Sequence, residues 1–285
     1  GAPAVVEALE RLIEEAGPSP AVGVSRFIGR IKQALARGDV TTTARLLDGA
    51  SRLARDLMDA GASAEARRRV ATFFGGQGLF AGDPLIDHSF FEIGRERVAG
   101  LERCGVERRY LMDLGDGQIY VEAQRRGTSA SLGPSPRLLA AGLSEVGRGV
   151  TPPAIQLLQY VVSGALSQQQ LSSLDGFAIR RFSDLAESYR VALSAAPGLA
   201  EPVVLIATPR FGGDEGVTPV DAEGLPLALA SFEAPGVVEA LTEPARRGEV
   251  GLLAGRLLDH RGTLMLLPLG ARLDRDGRSS WWRLR

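Results

Sequence analysis

Reactive side chains are scarce in this sequence. It has one cysteine, Cys104, and two histidines, His88 and His260. A single thiol excludes an intrachain disulfide and a cysteine-based zinc site, and it points to a cytosolic setting. Two imidazoles leave the usual general base in short supply. Lysine is nearly absent too: Lys32 stands alone, and the rest of the 33 basic residues are arginine. No Ser-x-x-Lys pair can therefore form, since Gly29 occupies the required offset, and no Gly-x-Ser-x-Gly elbow occurs.

Net charge of one sign is missing as well. Basic and acidic residues balance to a formal −1, and no stretch carries the basic excess that phosphate capture needs, which disfavours nucleic acid as a partner. No apolar run reaches membrane-spanning length, and no signal peptide is visible. Gly1-Ala2-Pro3 opens the chain without an initiating methionine, the mark of a cleavage scar or of a cut inside a longer protein.

What is present is ordinary globular material, 45% hydrophobic and 24% charged, enough to bury a core. Apolar residues at three- and four-residue spacing predict helices over residues 4–16, 21–37 and 42–60, the last with a stripe from Leu46 to Met58, and a short fourth helix after Ser63. Gly75-Gly76-Gln77-Gly78 reads as a flexible joint. The domain division expected is therefore a helical domain over 1–78 and an α+β body over 79–285.

Beyond the joint the pattern changes to strands. Residues 108–114 and 119–124 predict a hairpin, because Gly115-Asp116-Gly117 supplies the positive φ values of a tight turn. Further strands are expected over 137–146, 154–162 and 203–207, at the chain end, and on both sides of a turn at His260-Arg261-Gly262. A long helix is expected over 168–195, with Leu171, Leu174, Ala178, Phe182 and Leu185 on its buried side. The fold class read from these signals is α+β: an N-terminal helical bundle, then a mostly antiparallel, strand-rich body with one long helix.

Chemical motifs are few. Gly75–Gly78 and the 211–216 loop are glycine-rich but lack the residues of a nucleotide loop. Asp83, Asp87, His88 and Glu92 put hard ligands within ten residues, but match no calcium or zinc spacing; they form the runner-up metal or carboxylate-based hydrolase site. Arg108, Arg109, Arg125, Arg126 and Arg137 fall in one β-rich stretch interleaved with glutamates. Arginine's planar fork suits carboxylates, so they are the candidate partner-binding residues, against the plainer reading of cross-strand ion pairs. No catalytic residue and no cofactor is assigned.

Glu107-Arg108-Arg109-Tyr110-Leu111-Met112-Asp113-Leu114, Glu122, Ser131-Leu132-Gly133-Pro134-Ser135-Pro136-Arg137, Pro153 and Leu157-Leu158-Gln159-Tyr160 together resemble a body found in uncharacterised bacterial proteins associated with SWIM-type zinc fingers. The resemblance covers residues 85–210. The Cys-x-Cys…Cys-x-His finger is absent, so it implies a fragment without its finger or a finger-less member, and no site residue carries over. It implies binding or regulation rather than catalysis, in systems that include AAA+ ATPases. The expectation is thus a non-enzymatic interaction or regulatory protein of a bacterial multi-protein system, cytoplasmic, with another protein as its partner. The alternatives are the hydrolase and a nucleic-acid binder using the arginines.

Overall fold

The computed structural model describes residues 83–97, 106–125, 137–147, 152–195, 202–208, 210–213, 217–230, 235–260 and 262–284, with scattered positions between 31 and 47. In chain order the elements are β1 (Asp83–Arg97), β2 (Val106–Asp113), β3 (Ile119–Arg125), β4 (Leu138–Gly147), β5 (Ala154–Gly164), α1 (Gln168–Ser173), a 3-10 turn (Leu174–Gly176) and α2 (Phe182–Ala195). There follow β6 (Val203–Ala207), β7 (Arg210–Gly212), β8 (Thr218–Val220), β9 (Ala228–Leu229), α3 (Pro235–Arg246), β10 (Val250–His260), β11 (Thr263–Arg275) and β12 (Arg278–Arg283).

The first five strands close a barrel in the order β1-β2-β3-β5-β4. Every contact is antiparallel except β3 with β5, which run parallel and pair only at Val121↔Ala154. A second sheet has the order β12-β11-β10-β6, with β9 paired to β11. Period-2 alternation fixes which side chain goes where. Phe90, Leu111, Tyr120, Leu139, Ala141, Ile155 and Leu157 form one cluster of the barrel. The opposite face of β1–β3 gives Phe91, Ile93, Tyr110, Met112 and Ile119 to a second cluster, where they meet Val203, Leu205, Leu252, Ala254, Leu269 and Trp281 of the second sheet. On that sheet's other side Val204, Ile206, Leu253 and Leu257 pack with Phe182 and Leu185 of α2 and Val238 and Leu241 of α3. The layers are barrel, sheet and helices.

Barrel and sheet are in backbone-level contact where β1 crosses β11. A Cβ on Gly94 would lie 2.7 Å from the Leu269 Cβ, and one on Gly270 would collide with the Ile93 carbonyl and lie 2.7 Å from Trp281 Nε1. Trp281 Nε1 donates to that carbonyl at 3.2 Å, and its ring meets Phe91 edge-on at 5.3 Å. Glycine is required at both positions by proximity.

The expected α+β class is overturned. Strands dominate the described residues, five of them close a barrel, and the helices are short. The long helix over 168–195 does not exist. Ser167 caps α1 with a full capping box, and the chain then leaves helical geometry so that Ile179 can join β6: Ile179 N donates to Leu205 O at 2.8 Å and Ala207 N to Ile179 O at 3.0 Å. A separate helix starts at Phe182, whose N–H donates to Asp221 Oδ2 at 2.8 Å. The helical bundle over 1–78 lies outside the described residues, apart from Ile31, Lys32, residues 34–36, Thr43, Ala44 and Leu47, which are helical; the glycine joint lies wholly outside them. The 108–124 hairpin is present, its turn closed by Gly117 at φ 77, as is the β10–β11 hairpin through Gly262.

Candidate functional site

The arginine stretch is built from inward-turned pairs. Arg109 on β2 lies opposite Glu122 on β3, and its Nε and Nη2 both donate to Glu122 Oε2, the first at 2.9 Å. The other Glu122 oxygen accepts from Leu157 N at 3.4 Å, and the Arg109 guanidinium lies 5.8 Å from the Tyr160 ring centre. One strand over, Arg95 donates to both oxygens of Glu92 at 2.7 and 2.8 Å and approaches Glu107 at 3.5 Å. Arg283 of β12 donates to the same Glu92 at 2.8 Å. Burial opposes the Arg95 charge, but hydrogen bonding and attraction from Glu92, with Glu107 and Glu122 behind it, raise its pKa above the ordinary arginine value. Glu92, Arg95, Arg109 and Glu122 are all buried.

Of the five candidate arginines, then, Arg109 is buried in an ion pair. Arg108 is half-buried and sits opposite Glu96 and Ala123 in register. Arg137 is half-buried, and its carbonyl accepts from Glu92 N at 3.0 Å. Arg125 closes β3 opposite Val106, and Arg126 lies outside the described residues. The described members are not brought together into one basic face.

The metal candidates do not converge. All four lie on β1, and nine residues of strand separate Asp83 from Glu92, about 30 Å at 3.3 Å per residue. Asp83 and Asp87 are exposed, while Glu92 is taken up by Arg95 and Arg283. His88 Nδ1 hydrogen-bonds Asp113 Oδ2 instead. Among the described residues no group of three His, Cys, Asp or Glu side chains is placed to hold a metal ion.

The His88–Asp113 pair escaped sequence reasoning. Asp113 ends β2 and is buried; its other oxygen accepts from Gly115 N at 2.8 Å, which shapes the hairpin turn. His88 stacks on Phe90 with ring centres 6.0 Å apart, and Phe90 meets Tyr120 edge-on at 5.8 Å. Burial, then Asp116 and Asp113, push the Tyr120 phenol up, so it is held as a neutral hydroxyl rather than readied as a nucleophile. The aspartate before the Gly-Asp-Gly turn was the signal available.

A cleft of about 290 Å³ lies between the β2–β3 turn, Phe177 and β6. Its polar side chains serve the turn: Asp116 accepts from Gln118 N at 2.8 Å, and Gln118 Nε2 donates to Ile119 O at 3.0 Å.

An exposed apolar run lies on β5. Pro153 precedes the strand, and its carbonyl accepts from Val121 N at 2.9 Å, which closes the barrel. β5 pairs with β3 at Ala154 only, and beyond that residue its ladder partner among the described residues is β4. Residues 158–164 are all exposed, with Val161 at 68% and Leu158, Tyr160 and Val162 each at 44%. Ile86, two strands away on β1, is 64% exposed. None of residues 157–164 is charged.

Comparison with protein-family models, with curated proteins and with solved structures finds no match to the chain. Among the described residues no helix is long and apolar enough to cross a membrane. The β2–β3 face of the barrel that carries Tyr110, Met112 and Ile119 is covered by the second sheet.

Proposed function

We propose that the chain is a non-enzymatic interaction protein, an adaptor or regulatory component of a bacterial multi-protein system, that docks another protein through the β5 side of its barrel. One observation carries the reading. The described buried charges of the barrel are engaged in internal pairs, while Leu158, Tyr160, Val161 and Val162 form a charge-free apolar strip along the part of β5 whose ladder partner among the described residues is β4. Apolar groups left on a sheet edge are a recurrent mark of a protein-docking surface. The SWIM-associated resemblance adds the class of system, one that includes AAA+ ATPases, and the single thiol adds a cytoplasmic setting. Neither nucleic acid nor membrane is part of the proposal: the near-zero net charge gives no electrostatic capture.

The test is site-specific photocrosslinking in the native cell. A photoreactive residue replaces Val161 in one variant and Val191, 58% exposed on α2, in another. A discrete cross-linked protein is expected from position 161 and absent from 191. No adduct at 161, together with a hydrolytic turnover of the purified chain, would remove the interaction reading.

A further inference from the structure

We infer that the cleft beside β6 binds the amino-terminal end of an extended peptide, which supplies a rung that the sheet lacks there. The site is separate from the β5 strip and does not rest on it.

The second sheet ends at β6. In an antiparallel ladder a residue turns its N–H and its C=O to the same neighbour, and successive residues alternate. Leu257 N donates to Pro202 O at 2.8 Å and Thr208 N to Gly251 O at 3.0 Å, so the even-numbered residues of β6 face β10. Val203, Leu205 and Ala207 therefore face the other way. There Ile179 holds one rung in parallel register and takes up Leu205 O and Ala207 N.

The next rung, toward the start of β6, would fall to Phe177. Its backbone is right-handed helical instead, at φ −100 and ψ −8. Its N–H donates to Leu174 O at 3.1 Å, and its ring lies against Gly117. Among the described residues the Val203 carbonyl and the Leu205 N–H are thus left without a hydrogen-bond partner. Both residues line the cleft of about 290 Å³.

An acceptor and a donor exposed side by side on a strand edge are what an added peptide strand pairs with. The peptide gives an N–H to Val203 O and a C=O to Leu205 N. Ile179 already fills the following rung, so the occupant cannot run on along β6 and enters as a chain end. The cleft volume, at the lower limit for small-ligand sites, suits a few residues rather than a long strand. Charge selects which end. Asp116 is the one charged residue that lines the cleft, and it is exposed. One of its oxygens accepts from Gln118 N at 2.8 Å, and the other is open to an ammonium group. A terminal carboxylate would be repelled there. Phe177 and Ile119 make the rest of the wall apolar, which favours a small apolar first residue.

The test is an NMR titration of the full chain, labelled with ¹⁵N, with the peptide Ala-Val-Ala-amide. The Leu205 amide signal is expected to move saturably. N-acetylation of the peptide, which removes its charge, should weaken binding about fivefold or more. Asp116→Asn should weaken the free-amine peptide to a similar degree, because it keeps the oxygen that accepts from Gln118 N and loses the charge. The acetylated peptide on wild type decides the matter if that variant fails to fold. A Leu205 amide that does not respond, or an affinity indifferent to either change, overturns the inference. Neither result bears on a cross-link from Val161, so the β5 reading stands or falls separately.

Discussion

β1 and β5 belong to one barrel and have opposite fates. In the middle of β1, residues Phe90 through Arg95 are all buried, with Phe90 toward the barrel cluster and Phe91 and Ile93 toward the second sheet. The last seven residues of β5 are exposed on both faces. The sequences run against intuition: the buried stretch contains Glu92 and Arg95, and the exposed one contains no charge. Burial here follows partnership rather than polarity. Glu92 and Arg95 can be buried because each is hydrogen-bonded to the other, whereas Val161 is exposed because nothing in the described chain covers it.

Breaking the buried ion pair between β2 and β3 should have the largest effect. Arg109→Met removes the guanidinium hydrogen-bonded to the buried Glu122 carboxylate and should cost about 3–5 kcal/mol, read from urea unfolding. The double change Arg109→Met with Glu122→Leu should recover most of that loss, since an apolar pair of similar volume is often as stable. If the single and double variants unfold alike, the pair is not what sets the cost.

Next comes the crossing of barrel and sheet. Gly270→Ala puts a methyl group against the Ile93 carbonyl and Trp281, and overpacking of this kind costs about 1–3 kcal/mol. Both cores should be affected in a single transition, because the contact joins them. Two separated transitions in calorimetry would show that barrel and sheet fold apart.

A smaller and pH-dependent effect is expected at Asp221, which lies outside the barrel. It is buried and accepts from Phe182 N, Leu225 N and Glu223 N at 2.8, 2.8 and 3.0 Å. The Phe182 bond leads in holding its pKa below the ordinary 3.8, although desolvation works the other way. A carboxylate with a depressed folded pKa stabilises fully above its unfolded pKa and loses that contribution as the pH falls through the folded one. The melting-temperature gap between wild type and Asp221→Asn should therefore be widest near neutrality and narrow below about pH 4. A gap independent of pH would mean the role is steric.

The smallest change in stability belongs to the β5 side. Val161→Lys should shift monomer stability by no more than about 0.5 kcal/mol, the usual range for an exposed site. A larger loss would mean that Val161 is covered within its own chain.

The same contrast explains what could be read from the residues. The 108–124 hairpin was legible because Gly115-Asp116-Gly117 is local turn chemistry. The ending of α1 was obscured because Leu171, Leu174, Ala178, Phe182 and Leu185 keep helical spacing across a stretch where Ile179 is extended against β6; only Gly176 hinted at the break. α3 passed unnoticed even though Val238, Leu241 and Ala245 have helical spacing, with Pro244 inside the element. β1 was hidden because Asp83, Asp87, His88 and Glu92 look like a ligand set in one dimension and are strung along a strand in three. Arg109 was singled out as a surface group because its partner Glu122 is identified only by strand register, thirteen residues away.

Hydrogen exchange along β1 and β5 in dilute solution tests the contrast most directly. The amides of Phe90 through Arg95 should be protected to the global stability of the fold, while several of those between Leu158 and Gly164 exchange fast. Equal protection of the two strands would contradict the account, because that end of β5 would then already be covered within a single chain.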